Sequence, residues 1–226
     1  MALWSTWRVL AAVPLALVSL AACADIGPTD PGTVDAGDGP QDGDGDGDLD
    51  PDAAPAEQCV AGTFQLLDNP NFDEGPVDWV EMMGPIIFPD EQIPITPHSG
   101  SRAAWLGRTA AADQKLSQAI ELPLGTTALR FTGQTCLVTG EDPVNGALDA
   151  VTVSVLATGG APIAELVAYS NLDAGSVCNW ASFDIALAQD YTPQPAVLQL
   201  HAVSAAGGLT SFYFDTLSLV ATTDCP

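Results

Sequence analysis

From residue 59 onward the chain is written in short apolar runs cut by Gly, Pro, Asn and Asp, and several of those runs alternate strictly. Leu129, Phe131 and Gly133 fall on one side of an extended chain and Arg130, Thr132 and Gln134 on the other. Val151, Val153 and Val155 likewise oppose Thr152 and Ser154. A period of two with one polar face marks an antiparallel strand whose outer side meets water. The pattern predicts strands over 64–67, 79–83, 101–106, 116–122, 128–138, 150–157, 163–170, 180–186, 196–203 and 211–220. No stretch sustains a 3.6-residue period, and helix-breaking residues recur too often for long helices. This many strands without an internal repeat predict an all-β fold: a two-sheet antiparallel sandwich of the jelly-roll kind over residues 59–226.

The upstream part has a different texture. Residues 1–8 are weakly basic, with Arg8 as the one basic side chain, and residues 9–22 are almost wholly apolar and small. Charge order and length read as a secretory signal, too short to span a membrane. Its end, Leu20-Ala21-Ala22-Cys23, resembles the lipobox of bacterial lipoproteins. That resemblance implies cleavage before Cys23, lipidation of its sulfur, and anchoring at the bacterial cell envelope, with the outer membrane or cell surface favoured. Two or more acyl chains give stable anchoring where one does not.

Residues 23–58 are Asp, Gly, Pro, Ala and Thr with little to bury, and they read as a disordered acidic tether. The run Asp42 to Asp50 matches the first half of a calcium loop, but Ala53 stands at the twelfth position, where a bidentate Glu would close the shell. It reads as a spacer.

Charge narrows the range of partners. With 29 acidic and 5 basic residues the formal net charge is −24, which excludes the basic footprint of a nucleic-acid-binding protein. Anionic lipid would repel such a chain, so membrane contact is expected through lipid rather than charge.

Setting Cys23 aside leaves Cys59, Cys136, Cys178 and Cys225, an even number that reads as two disulfides in an exported protein. Three pairings are possible. Because domain termini lie close together, Cys59 with Cys225 and Cys136 with Cys178 is the favoured one.

Three segments in order carry a family resemblance: Asn69-Pro70-Asn71-Phe72-Asp73 with a following Trp79, then Ser99-Gly100-Ser101-Arg102-Ala103, then Phe212-Tyr213-Phe214-Asp215-Thr216-Leu217. Their order and spacing are similar to those of the galactose-binding-like jelly rolls, which include many carbohydrate-binding modules. The resemblance implies a structural Ca²⁺ held by Asp73 and Asp215 with backbone carbonyls, a donor set that suits a hard cation. Thr216 departs from the family, where a second Asp is frequent.

Sugar recognition needs aromatic faces with polar groups beside them. Trp79, Phe88, Tyr169 and Tyr191 are the candidates, while Trp105 and Trp180 read as structural. The Pro-rich stretch 82–97, with Met82, Met83, Ile86, Ile87 and Phe88, reads either as an exposed contact surface or as a lid over one end of the sandwich. His98 and His201 read as surface residues, and neither a G-x-S-x-G elbow nor an H-E-x-x-H helix is present. The sequence therefore points to a non-catalytic binding lipoprotein whose partner is a polysaccharide or an envelope protein.

Overall fold

The computed structural model describes residues 58–206 and 210–225. Cys23, the signal segment and the acidic run lie outside the described residues.

Among the described residues, eleven strands form two antiparallel sheets: β1 (Gly62–Gln65), β2 (Val80–Met82), β3 (Ile87–Pro89), β4 (Arg102–Leu106), β5 (Asp113–Leu122), β6 (Thr126–Thr139), β7 (Ala150–Ala157), β8 (Pro162–Ser170), β9 (Ala181–Ala188), β10 (Gln194–Val203) and β11 (Thr210–Thr223). One sheet has the order β3-β4-β11-β6-β9, with β1 also on β11, and the other the order β2-β5-β10-β7-β8. The result is an all-β jelly-roll sandwich. Its helical content among the described residues is three single 3₁₀ turns.

Alternation places the core as the sequence predicts. Leu129 and Phe131 of β6 and Val151, Val153 and Val155 of β7 are buried, and they meet Leu116, Leu198, Leu200, Phe212 and Phe214 in one cluster between the sheets. Each such side chain contributes roughly 1.5–3 kcal/mol relative to exposure. At Gly133 a Cβ would lie 2.7 Å from Phe183 and 2.8 Å from Leu217, so the bare backbone lets those two side chains close over β6.

One break in the alternation matters for the candidate site. In β11, Phe212 and Phe214 point inward, but so do Leu217, Leu219 and Ala221, which stand on the opposite parity. The register shifts between Asp215 and Ser218, where Thr216 takes a φ of 53°. This bulge inserts a residue and changes the phase of the strand. Asp215 therefore shares the side of Tyr213 rather than that of Leu217.

The stretch 82–97 divides. Ile86, Ile87 and Phe88 are buried, and residues 87–89 form β3, which the sequence pattern did not predict. Glu81 Oε1 accepts both the Ile86 and Ile87 N–H groups at 2.6 Å, which draws the segment in. Of the large apolar side chains there, Met82 and Met83 remain exposed, at 49% and 73%. Beyond β3 the chain lies over the outer face of the β4-containing sheet, where Phe88, Ile93 and Ala103 form a second small core with Ile95, Trp105 and Trp180. Both disulfides have the favoured pairing, Cys59–Cys225 and Cys136–Cys178.

Candidate functional site

Between β8 and β9 the chain builds a wall along one edge of the sandwich. At the end of β8, the Ser170 side chain accepts from Leu172 N, and Asp173 Oδ2 accepts from Ser170 N and Oγ at 2.8 and 3.1 Å. This reciprocal box holds the 3₁₀ turn Asn171–Asp173. Buried Asn171 pins the turn from below, accepting from Leu148 N at 2.8 Å and donating to Gly146 O at 3.0 Å. The chain then runs beside the end of β6: Gly175 N donates to Leu137 O and Thr139 N to Gly175 O. Cys178 is bonded to Cys136, and Trp180 Nε1 donates to Thr96 O at 2.9 Å before β9 begins.

On the inner side of this wall a groove of about 410 Å³ opens between the two sheets, lined by Thr135, Tyr169, Asp173, Val177, Asn179 and Ser182 among others. Tyr169 pairs in register with Val151, whose side chain is in the core, so its ring projects into the gap between the sheets and stays half-buried. Burial, with the negative charge of Asp173 adding to it, raises the Tyr169 pKa and keeps the phenol protonated. The Tyr169 hydroxyl, Asp173 Oδ1, the Asn179 amide and the Ser182 hydroxyl have no hydrogen-bond partner among the described residues. A half-buried ring surrounded by unused donors and acceptors suits a hydroxyl-rich ligand with one apolar face.

The other three aromatic candidates are not available to a ligand. Trp79 is 5% exposed, packs 5.2 Å from Phe72 and donates its Nε1–H to Asn69 O. The reason is local: Asn69 donates to Gly75 O and Val77 O and accepts from Glu74 N, coiling the loop so that Trp79 turns inward. Phe88 lies under the Arg108 guanidinium, 4.7 Å above its ring, and edge-on to Trp105. Tyr191 belongs to the main core, with its backbone N–H on Thr126 O.

Asp73 and Asp215 do converge, on one turn. The Asp73 Oδ1 accepts from Ser101 N at 3.1 Å, and buried Asp215 accepts from Ser99 N at 2.8 Å and Thr216 N at 2.6 Å, with both hydroxyls also within reach. Gly100 sits between them with a φ of 56°, and a Cβ there would lie 2.0 Å from Asp73 Oδ1. The donor set does not fit the Ca²⁺ expected there. N–H and O–H groups point at the Asp215 carboxylate where a cation would need oxygen ligands, and no group of three acidic, His or Cys side chains converges among the described residues. Asp215 fastens the 98–101 turn to β11.

His201 is where the strand pattern puts it, on the polar outer face of β10, paired with Asp113 at 2.7 Å. His98 is exposed, 3.3 Å from Thr216 Oγ1, with its ring edge-on to Trp180. Asp173, Asn179 and Ser182 were not among the sequence candidates. Residues 171–180 have no periodicity to read, and only Cys178 marks the segment as fastened to something distant.

No family model matches the sequence, and no similar protein is found among curated ones. Solved structures do share its outline. TmCBM61, in complex with β-1,4-galactotriose, is 19% identical with a TM-score of 0.44, covering 69% of this chain and 97% of its own. The CBM22-1 xylan-binding domain from Paenibacillus barcinonensis is 16% identical with a TM-score of 0.44, covering 74% of this chain and 99% of its own. The K3 cleaved adhesin domain of Lys-gingipain from Porphyromonas gingivalis is 14% identical with a TM-score of 0.46, covering 70% and 99%. At this distance the likeness is one of form and assigns no ligand.

Proposed function

We propose that this chain is a lipid-anchored lipoprotein of the bacterial envelope whose sandwich is a non-catalytic glycan-binding module, with Tyr169 at the centre of its site. The observation that carries this reading is the groove itself: one half-buried phenol ring with Asp173, Asn179 and Ser182 offering three further polar groups around it. A pyranose offers an apolar C–H face to such a ring and hydroxyls to such a rim. The outer face of the other sheet offers no equivalent. Lys115, Ser117, Gln199, His201, Thr152 and Ser154 line it in register, without a Trp, Tyr or Phe among the described residues.

Tyr169→Ala is expected to weaken binding to the best ligand in a panel of neutral polysaccharides, galactan and xylan included, by about tenfold or more. The melting temperature should move little, because the ring is only half-buried. Affinity electrophoresis and calorimetry measure the first, a thermal melt the second. Undiminished binding in Tyr169→Ala would remove this groove as the site.

Anchoring rests on the Leu20-Ala21-Ala22-Cys23 pattern. A Cys23→Ser variant is expected to move from the membrane fraction to the soluble fraction, and unchanged retention in membranes would sink the lipoprotein reading. A second reading, an envelope protein as partner, has one observation in its favour: Val77, Val80, Met82 and Met83 are exposed in and beside the edge strand β2.

A further inference from the structure

Residues 173–180 form a partition with a different groove on each side. Asp173, Gly175, Val177 and Asn179 face the Tyr169 groove. Ser176, Cys178 and Trp180 face a second groove of about 520 Å³, and Val177 lines both. Alternation along an extended segment produces this division, and the segment adjoins the exposed end of β6, whose Leu137 and Val138 likewise face opposite grooves. The second groove lies on the outer side of the sheet. Tyr213 and Cys178 lie on one side of it, Pro94, Ile95 and Thr96 on another, and Trp180 at its rim.

Trp180 is held ready for a ligand. Its indole N–H is taken by Thr96 O, and the His98 ring meets it edge-on at 6.0 Å and 71°, so the side chain is fixed while remaining half-buried. An aromatic immobilised before binding loses little rotamer freedom when a ligand stacks on it. Thr96 and Ser176, both exposed, supply hydroxyls beside it. No Lys or Arg lines either groove, and Asp173 stands in the first.

We infer that Trp180 and its groove form a second sugar subsite, and that the ligand is a neutral polysaccharide strand crossing the sandwich edge over Val177, with one unit on Tyr169 and another on Trp180. This rests on the glycan reading of the Tyr169 groove and adds to it the length and charge class of the ligand. Val177 is 63% exposed, which makes it the low ridge between the grooves rather than a barrier buried by neighbours. Two linked weak contacts give a long strand an avidity that neither groove offers a short one.

The test uses neutral oligosaccharides of galactose, xylose, glucose and mannose in short lengths of two or three units and long lengths of six to eight, titrated calorimetrically into the soluble protein. In the unmodified protein the long form of the preferred sugar should bind about tenfold or more tighter than the short form. Trp180→Ala should bring the long form down to the affinity of the short one and leave the short one unchanged. Because Trp180 also packs on the outer small core, Ser176→Arg provides an independent block: its exposed side chain fills the second groove without entering the first. Tyr169→Ala should weaken both lengths.

Equal affinity at both lengths, or a length gain that survives both Trp180→Ala and Ser176→Arg, overturns the second subsite while leaving the Tyr169 site standing. Preference for uronate-bearing or sulfated chains over neutral ones overturns the charge class. Absence of binding to every neutral sugar at every length overturns both the subsite and the reading beneath it.

Discussion

Replacing Cys59 and Cys225 together with serine is expected to lower the stability of the sandwich by about 4–5 kcal/mol, the figure for closing so long a loop in the unfolded chain. The bond spans a sequence separation of 166, nearly the whole domain. What it holds is otherwise thinly held. β1 is four residues long, its side chains are exposed except for half-buried Phe64, and it pairs with β11 alone. At the last residue of β1 the grip improves, because Gln65 Oε1 accepts from Leu66, Leu67 and Leu219 N–H groups and its Nε2 donates to Ser218.

Loss of the bond is therefore expected to free residues before Gln65 first and to lower the midpoint of urea unfolding with little change in slope. A loss below about 1 kcal/mol would mean that the Gln65 contacts alone secure the terminus. The Cys136–Cys178 bond closes a separation of only 42 and should contribute about 4 kcal/mol on the same model, but its removal should also weaken glycan binding, since it fixes the partition between the grooves. The two variants separate a stabilising bond from one that also shapes a site.

Asp215→Ala should cost about 3 kcal/mol, because two N–H groups beneath the 98–101 turn, those of Ser99 and Thr216, lose their acceptor where water cannot readily replace it. Ser99 N–H donates to Oδ2 and Thr216 N–H to Oδ1, so Asp215→Asn keeps an acceptor for only one of them, and its cost should fall below that of Asp215→Ala, at about 1–2 kcal/mol.

The pair also carries a pH signature. Burial is the largest influence on Asp215 and raises its pKa above the ordinary 3.8, against the opposing hydrogen bonds from Ser99 and Thr216. The folded protein therefore holds this proton to higher pH than the unfolded chain does. Its contribution to stability is complete below the unfolded pKa and declines as pH rises through the folded one. Measured as a difference, wild type should lose ground to Asp215→Asn as pH is raised from about 3.8. The lowered carboxyls of Asp113, beside His201, and Asp184, beside Arg130, titrate alike in both proteins and cancel in the difference. A wild type that gains on Asp215→Asn over that interval would show that the hydrogen bonds outweigh desolvation.

The sandwich was legible because strand alternation is a local property. Leu129 to Gln134 and Val151 to Val155 declare their inner and outer faces within a few residues, and the core follows them. Both disulfide pairings followed from an even cysteine count and from the closeness of domain ends. Exposure of single aromatics was not local in this way. Phe88 and Tyr191 are covered by segments or sheets brought to them from elsewhere in the chain, and Trp79 is turned inward by side-chain hydrogen bonds of its own loop that carry no period, while Tyr169 stays half-open near the end of a strand at the sandwich edge. One inserted residue at Thr216 puts Asp215 on the side of Tyr213 and not on that of Leu217 and Leu219, and a bulge leaves no mark in a hydrophobic pattern.

The groove itself was decided by tertiary structure alone. Residues 171–180 have no period to read, and they come to line two grooves only where the Cys136–Cys178 bond and the Gly175 backbone hydrogen bonds lay them along the end of β6. Alternation declared the strands other than β3, and residue type the covalent staples, because each depends on neighbours in the chain or on the identity of the side chain. Which polar groups meet around Tyr169 depended on how distant segments pack, and that is a property of the folded edge rather than of any stretch of sequence.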